Sequence, residues 1–255
     1  MKSARIAAVT GLAALPLAFT APASAAETVN FHLDDINDTG STATATLTAT
    51  DNGSLHVEIN GTGFTPNSPH AQHIHGEVGS KEFVCPPPSA DTDGDGLIST
   101  VEGVPAYGGV MVSLTTKGDT SAKSGLALDR FPVADAEGNL NYERTIPADM
   151  LPEGIVDSLQ QLHIVQHGID VNGNDKYDLE ALGESPFAKS LGVNGVPAEG
   201  TFPATCGEVT PVGSVDTGAG STGGIEQLPL MAFGGVALAG AAGTVLLRRR
   251  FTESS

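Results

Sequence analysis

An all-β domain is the fold class this sequence predicts, on three observations. Apolar and polar residues alternate with a period of two in several stretches rich in β-branched side chains, as strands with one buried face require. Clusters of Gly, Pro, Asn and Asp separate these stretches at short intervals and mark turns. One stretch alone, 152–161, reads as a helix, with Pro152 at a first position where a missing N–H costs nothing. Many short strands with frequent turns point to a sandwich or a barrel.

The elements follow in order. Residues 42–50 read Thr-Ala-Thr-Ala-Thr-Leu-Thr-Ala-Thr, a strict alternation. Asp51-Asn52-Gly53 is a turn signal, and 55–59 alternates again, so the two stretches form a hairpin. Further strands are expected at 70–75, 109–114, 140–146, 162–167 and 201–209, with no internal repeat of fixed period.

The ends of the chain describe its destination. Lys2 and Arg5 precede an apolar stretch, and Ala23-Ser24-Ala25 offers the small residues of a signal-peptidase site, so 1–25 reads as a signal peptide. The globular domain then covers 26–210. Residues 211–227 are rich in Gly, Ser and Thr and read as a flexible stalk. Residues 228–247 carry no charge, and a helix of that length spans roughly 30 Å, the hydrocarbon thickness of a bilayer. The basic tail 248–255 begins with Arg248-Arg249-Arg250, which belongs on the cytoplasmic side and leaves the domain outside. Ser214-Val215-Asp216-Thr217-Gly218 resembles a sortase sorting signal with Ser-Val in place of the usual Leu-Pro. Covalent attachment to the cell wall at the Thr217–Gly218 bond and a simple membrane anchor both remain open. Either layout resembles a surface protein of a Gram-positive, actinobacterium-like cell.

Between the leader and the span, seven Lys or Arg stand against 29 Asp or Glu. That balance excludes a nucleic-acid partner, because phosphate contacts need a basic face. Two cysteines, Cys85 and Cys206, in a secreted chain most simply form one disulfide.

Five of the seven histidines lie in two short segments, His70-Ala71-Gln72-His73-Ile74-His75 and His163-Ile164-Val165-Gln166-His167. Residues two apart on a strand share a face, so His73 and His75 present two imidazoles side by side. Neutral imidazole suits copper or zinc.

The order and spacing of His73-Ile74-His75, Cys85, the apolar strand ending at His167, and Ala204-Thr205-Cys206-Gly207 resemble the copper/zinc superoxide dismutase family over about residues 40–210. The resemblance implies a Greek-key β-sandwich or barrel. It implies copper held catalytically by His73, His75 and His167, a Cys85–Cys206 disulfide, and superoxide as the substrate. His163 and His70 are candidates for a fourth ligand. The same segments resemble the chordin-type (CHRD) β module, whose A-H-I-H-G motif is similar to Gln72-His73-Ile74-His75-Gly76. The chain departs from the dismutase pattern in two respects. No His lies between His75 and His163, which removes the zinc site and the bridging His, and Pro203 stands where the family carries its active-site Arg.

Two acidic loops stand where that family carries its zinc loop and its substrate-guiding loop. The first, 91–102, matches an EF-hand calcium loop at every diagnostic position. Asp91, Asp93 and Asp95 stand at positions 1, 3 and 5, Gly96 at 6, Leu97 with its carbonyl at 7, Ser99 at 9 and Glu102 at 12. Pro86-Pro87-Pro88 just upstream rules out an incoming helix, so this is a calcium loop inserted in a β domain. The second loop carries Asp170, Asn172, Asn174 and Asp178 at positions 1, 3, 5 and 9, but Ala181 at 12 and Asp175 at 6, with Glu180 close enough to reach an ion.

Two functions compete on this reading. One is an anchored copper enzyme that dismutates superoxide at the cell surface. The other is a non-catalytic, calcium-stabilised CHRD-like module that binds a cell-surface ligand. A domain so acidic repels an anion at long range, and no G-x-S-x-G or H-E-x-x-H motif points to ordinary hydrolysis. A chain truncated after Thr210 is expected in the culture medium as a folded domain. Retention of the truncated chain on the cells would show that the anchor has been misassigned.

Overall fold

Eight antiparallel strands pair into one sheet in the computed structural model, which describes residues 27–210. The expected signal peptide, stalk, apolar span and basic tail, with Thr217 and Gly218, lie outside those residues. Among the described residues no helix is long and apolar enough to cross a membrane.

The strands are β1 (Thr28–Asp35), β2 (Thr42–Ala49), β3 (Leu55–Thr62), β4 (Gln72–Gly76), β5 (Gly109–Ser113), β6 (Leu140–Ile146), β7 (His163–His167) and β8 (Pro203–Val209). Across the sheet they run β5-β4-β7-β8-β1-β2-β3-β6. The sheet curls so far that its two edges come within side-chain reach. From β6, the Tyr142 hydroxyl donates to the Thr115 carbonyl at 3.2 Å, and the Arg144 guanidinium donates to the carbonyls of Thr115 at 2.6 Å and Gly118 at 2.7 Å, just past β5.

Period-two patterning explains the inner face. Val29, Phe31 and Leu33 of β1, Ala43, Ala45 and Leu47 of β2, and Leu55, Val57 and Ile59 of β3 all point into one core, while their neighbours face outward. The register pairs large with small: Phe31 lies opposite Ala45 and Leu33 opposite Ala43, which lets the facing layers interdigitate. Strand β1 was not among the expected strands, although Val29-Asn30-Phe31-His32-Leu33 alternates. It is stabilised as a strand by ladders to both β2 and β8.

Strands β4 and β7 are buried on both faces. Ile74 and Ile164 face the core, and the other face is covered by two long connections, β4 to β5 and β7 to β8, together with the segment around Gly125 between β5 and β6. The first connection contains the helix α1 (Thr100–Tyr107), and the second a short helix α2 (Pro186–Ser190). Helix α1 was not expected, and Pro105 inside it weakens the sequence signal. It is nucleated by a complete capping box: Ser99 accepts from the Glu102 N–H, and Glu102 accepts from the Ser99 N–H. The helix expected at 152–161 is a 3₁₀ helix over Val156–Gln161. The expected disulfide is present. Cys85–Cys206 joins the first connection to β8 with a Cα–Cα distance of 5.7 Å. It closes a separation of 121 residues, to which the chain-entropy model assigns about 4–5 kcal/mol.

Leu47 is fully buried between Val29 and Val57. Leu47→Ala should cost about 2–5 kcal/mol in urea unfolding. Val171→Ala, at an exposed loop position, should stay within about 0.5 kcal/mol of wild type. Equal effects would contradict the assigned core.

Candidate metal centre

The curled sheet brings His73, His75 and His167 together on the face away from the core. His73 and His75 are alternate residues of β4, and His167 ends β7, which pairs with β4. The ring centroids lie 5.4 Å apart for His73–His75, 5.2 Å for His73–His167 and 6.2 Å for His75–His167. One ring nitrogen from each falls within 4.8 Å of the others.

The remaining ring nitrogens define what this cluster can do. His73 Nε2 donates to the Gly125 carbonyl at 3.1 Å, His75 Nδ1 to Gly108 at 3.0 Å and His167 Nδ1 to Thr201 at 2.7 Å. A carbonyl only accepts, so each bond fixes the tautomer and leaves the opposite nitrogen with a free lone pair. Those nitrogens, His73 Nδ1, His75 Nε2 and His167 Nε2, are buried and have no hydrogen-bond partner. Three buried acceptors without a donor are costly unless a cation takes them. An imidazole anchored through one N–H to a carbonyl is the usual setting of a metal-ligating histidine.

Protonation does not compete for these lone pairs. Burial lowers all three histidines: His75 to about 3, His167 to about 4 and His73 well below the ordinary 6.5. Mutual repulsion adds to the lowering at His73 and His75. The site is neutral and ligand-ready at physiological pH.

The two candidates for a fourth ligand lie elsewhere. His70 is fully buried, with Nδ1 2.9 Å from the His167 carbonyl and Nε2 3.1 Å from the Thr65 carbonyl, and so it buttresses the backbone of a triad member. The Tyr177 hydroxyl packs on the same ring at 3.1 Å. A Cβ at residue 168 would collide with that hydroxyl at 2.1 Å, and φ there is +110°, so only glycine fits beside His167. His163 is paired across the ladder with His75, but it turns toward Glu208, with Nε2 3.9 Å from the carboxylate.

A cavity of about 450 Å³ opens above the triad, walled by Val104, Val110, Leu126, Phe187, Leu191 and Val193. Its described lining includes no Asp or Glu, and Lys123 is its one cation apart from the histidines. The two arginines among the described residues are engaged elsewhere. Arg130 donates to the carbonyls of Lys117 and Asp119, and Arg144 to those of Thr115 and Gly118.

In the first acidic loop Asp91, Asp93 and Glu102 come together, each offering an oxygen within 4.8 Å of the others. Asp95 does not join them; its Oδ1 accepts from the Leu97 N–H at 2.8 Å. Ser99 serves as the helix cap, with its hydroxyl on Glu102. Burial raises the Glu102 pKa, but this is outweighed by the N–H groups of Ser99 and Thr92 and their hydroxyls, which bring it down to about 2. Asn37 clamps the loop to the sheet, bonding both the N–H and the carbonyl of Ile98. In the second loop Asp170 accepts from the N–H groups of Gly173 and Asp175, while Asp178 is held by Asn174 and Lys176. Asn172 is exposed at the rim, and the Glu180 N–H bonds to Asp178. A third cluster, His56 and Glu58 of β3 with Glu143 of β6, lies on the outer sheet surface. Strand alternation alone would have placed it there, but only the pairing of β3 with β6 brings Glu143 alongside.

No family model matches the chain, and no curated protein matches it. Among solved structures, one described as the clock protein EA4 is similar over 76% of this chain and 98% of its own length. The two chains share 14% identity, with a TM-score of 0.38.

The lowered histidines make the metal-free protein acid-sensitive. Their pKa values are lower in the folded state than the ordinary 6.5, so unfolding takes up protons, and stability is complete above about 6.5 and falls as pH drops toward 4. Urea midpoints of the metal-free protein should fall steeply across that window, and less so in His73→Gln/His75→Gln. A midpoint that stays flat from pH 7 to 4.5 would show that these groups are not buried and neutral.

Proposed function

We propose that this chain carries a copper-binding, superoxide dismutase-like domain at the cell surface, with calcium in its acidic loops, and that it dismutates superoxide. The observation that carries the reading is a buried triad in which each ring is fixed by a backbone carbonyl, its other nitrogen is unpartnered, and one nitrogen of each ring lies within 4.8 Å of the others. An all-nitrogen set of neutral imidazoles suits copper, which heads the affinity order of the first-row divalent ions. The strand order supports the family resemblance: β6 lies beside β3 and β7 beside β4, each a fourth strand returning to the first as in a Greek key. The Cys85–Cys206 bond supports it further.

The chain's own residues would hold and position. His73 would ligate through Nδ1, and His75 and His167 through Nε2, with the Gly125, Gly108 and Thr201 carbonyls fixing the rings before the metal enters. Bound copper would supply one-electron redox chemistry, taking an electron from one superoxide and passing it to a second, with two protons, to yield O2 and H2O2. Lys123 at the mouth would attract the anion, and the acid-free lining would not repel it. No arginine reaches the site, so turnover should be slower than in dismutases that keep one.

The apolar wall of the cavity favours a second reading, a non-catalytic CHRD-like module that binds a cell-surface ligand there. Copper loading of the full chain, followed by electron paramagnetic resonance and a superoxide assay, separates the two. One tightly bound copper per chain with turnover, both lost in His73→Ala/His75→Ala, is expected. Copper without turnover would favour the non-catalytic module, and copper bound equally by wild type and double variant would sink the metal-site reading.

A further inference from the structure

The second acidic loop lacks a carboxylate at position 12, which is Ala181. We infer that Glu199, far outside the loop in sequence, supplies that carboxylate in space and completes a second calcium site with Asp170, Asn172 and Asn174. The inference rests on the calcium reading of the acidic loops and adds a ligand that the loop sequence does not contain.

The two loops share the bonding of position 1 and of the carboxylate that closes the loop. In the first, Asp91 at position 1 accepts from Gly94 N at 2.7 Å and Gly96 N at 3.0 Å, which are positions 4 and 6. In the second, Asp170 accepts from Gly173 N at 2.8 Å and Asp175 N at 2.7 Å, again positions 4 and 6. In the first, Glu102 Oε1 accepts from Thr92 N at position 2 and Oε2 from Ser99 N at position 9, both at 2.9 Å. In the second, those partners belong to Glu199: Oε1 accepts from Val171 N at 3.0 Å and Oε2 from Asp178 N at 2.9 Å, positions 2 and 9. Asp175, where the motif has glycine, adopts the left-handed conformation that the turn needs, with φ of 62°.

Burial points independently to a cation. Glu199 is 0% exposed. No Lys, Arg or His among the described residues forms an ion pair with it; the nearby Lys176 pairs with Asp178 instead. Two N–H donors occupy two of a carboxylate's roughly four lone-pair positions and leave the others unpartnered in the interior. A buried carboxylate without a countercharge is expensive, and here it sits under a loop that adds the charges of Asp170 and Asp178. A hard divalent ion between loop and Glu199 removes that cost, and the donors on offer are all oxygens, the set calcium prefers. The second loop brings fewer carboxylates to its ion than the first, so its affinity should be the weaker of the two.

Calcium titration calorimetry on the metal-free full chain tests this directly. Wild type should show two binding events. Glu199→Gln should lose the weaker one, and Glu102→Gln the tighter one. Asn172→Ala, at an exposed position, should weaken the same event as Glu199→Gln, which keeps the test valid if the buried substitution disturbs folding. Two unchanged events in Glu199→Gln, or a single wild-type event abolished by Glu102→Gln, would overturn the inference while leaving the first loop intact. An event lost in Glu199→Gln but indifferent to Glu102→Gln would uphold it and count against the first loop instead. No calcium binding at all would overturn both.

Discussion

Three backbone carbonyls, those of Gly125, Gly108 and Thr201, hold three imidazoles in one orientation, and much of the architecture serves to keep those carbonyls in place. A ring free to rotate would lose either its tautomer or its aim. Each carbonyl belongs to a different connection: Gly125 lies between β5 and β6, Gly108 caps the end of α1, and Thr201 just precedes β8. The strands deliver the imidazoles, and the loops decide which nitrogen is left free.

Each of those loops is fixed by its own local chemistry. Arg130 and Asp119 tie the segment that carries Gly125, bonding Ser124 from both sides. Helix α1 is nucleated by the Ser99–Glu102 capping box inside the first acidic loop, so the same carboxylate that would bind calcium also sets the helix whose end holds His75. The Thr201 carbonyl accepts from both His167 and the Thr100 hydroxyl, and Thr201 lies two residues after Glu199. Both acidic loops therefore converge on the backbone that orients His167. The disulfide fastens the connection from β4 to β5, which carries Gly108, to β8.

The distribution of charge is as selective as the geometry. Residues 26–227 carry 29 Asp or Glu, yet the described lining of the cavity above the triad has no carboxylate. Many of the acidic groups lie instead in the loops, and at Glu102 hydrogen bonds bring the pKa down to about 2. A metal at neutral imidazoles is thereby kept apart from hard oxygen donors, and this separation would let two kinds of ion occupy one domain without exchanging sites.

How much of this was legible in the sequence depended on whether the signal was local. Alternation along a strand is local, so β2, β3 and the shared face of His73 and His75 could be read directly. The twelve-position spacing of the first acidic loop is local too. Pairing across strands is not: β1 became a strand through its ladders to β2 and β8, and His163 and His70, equally plausible ligands by spacing, were turned away by Glu208 and by the Thr65 and His167 carbonyls. The chain by itself determined which residues could bind metal and which faces they share. Only the tertiary structure decided which nitrogens stay unpartnered, and it brought Glu199 to a loop whose own sequence lacks a final carboxylate. Hydrogen bonds between residues far apart in the chain make those choices, and no local pattern records them.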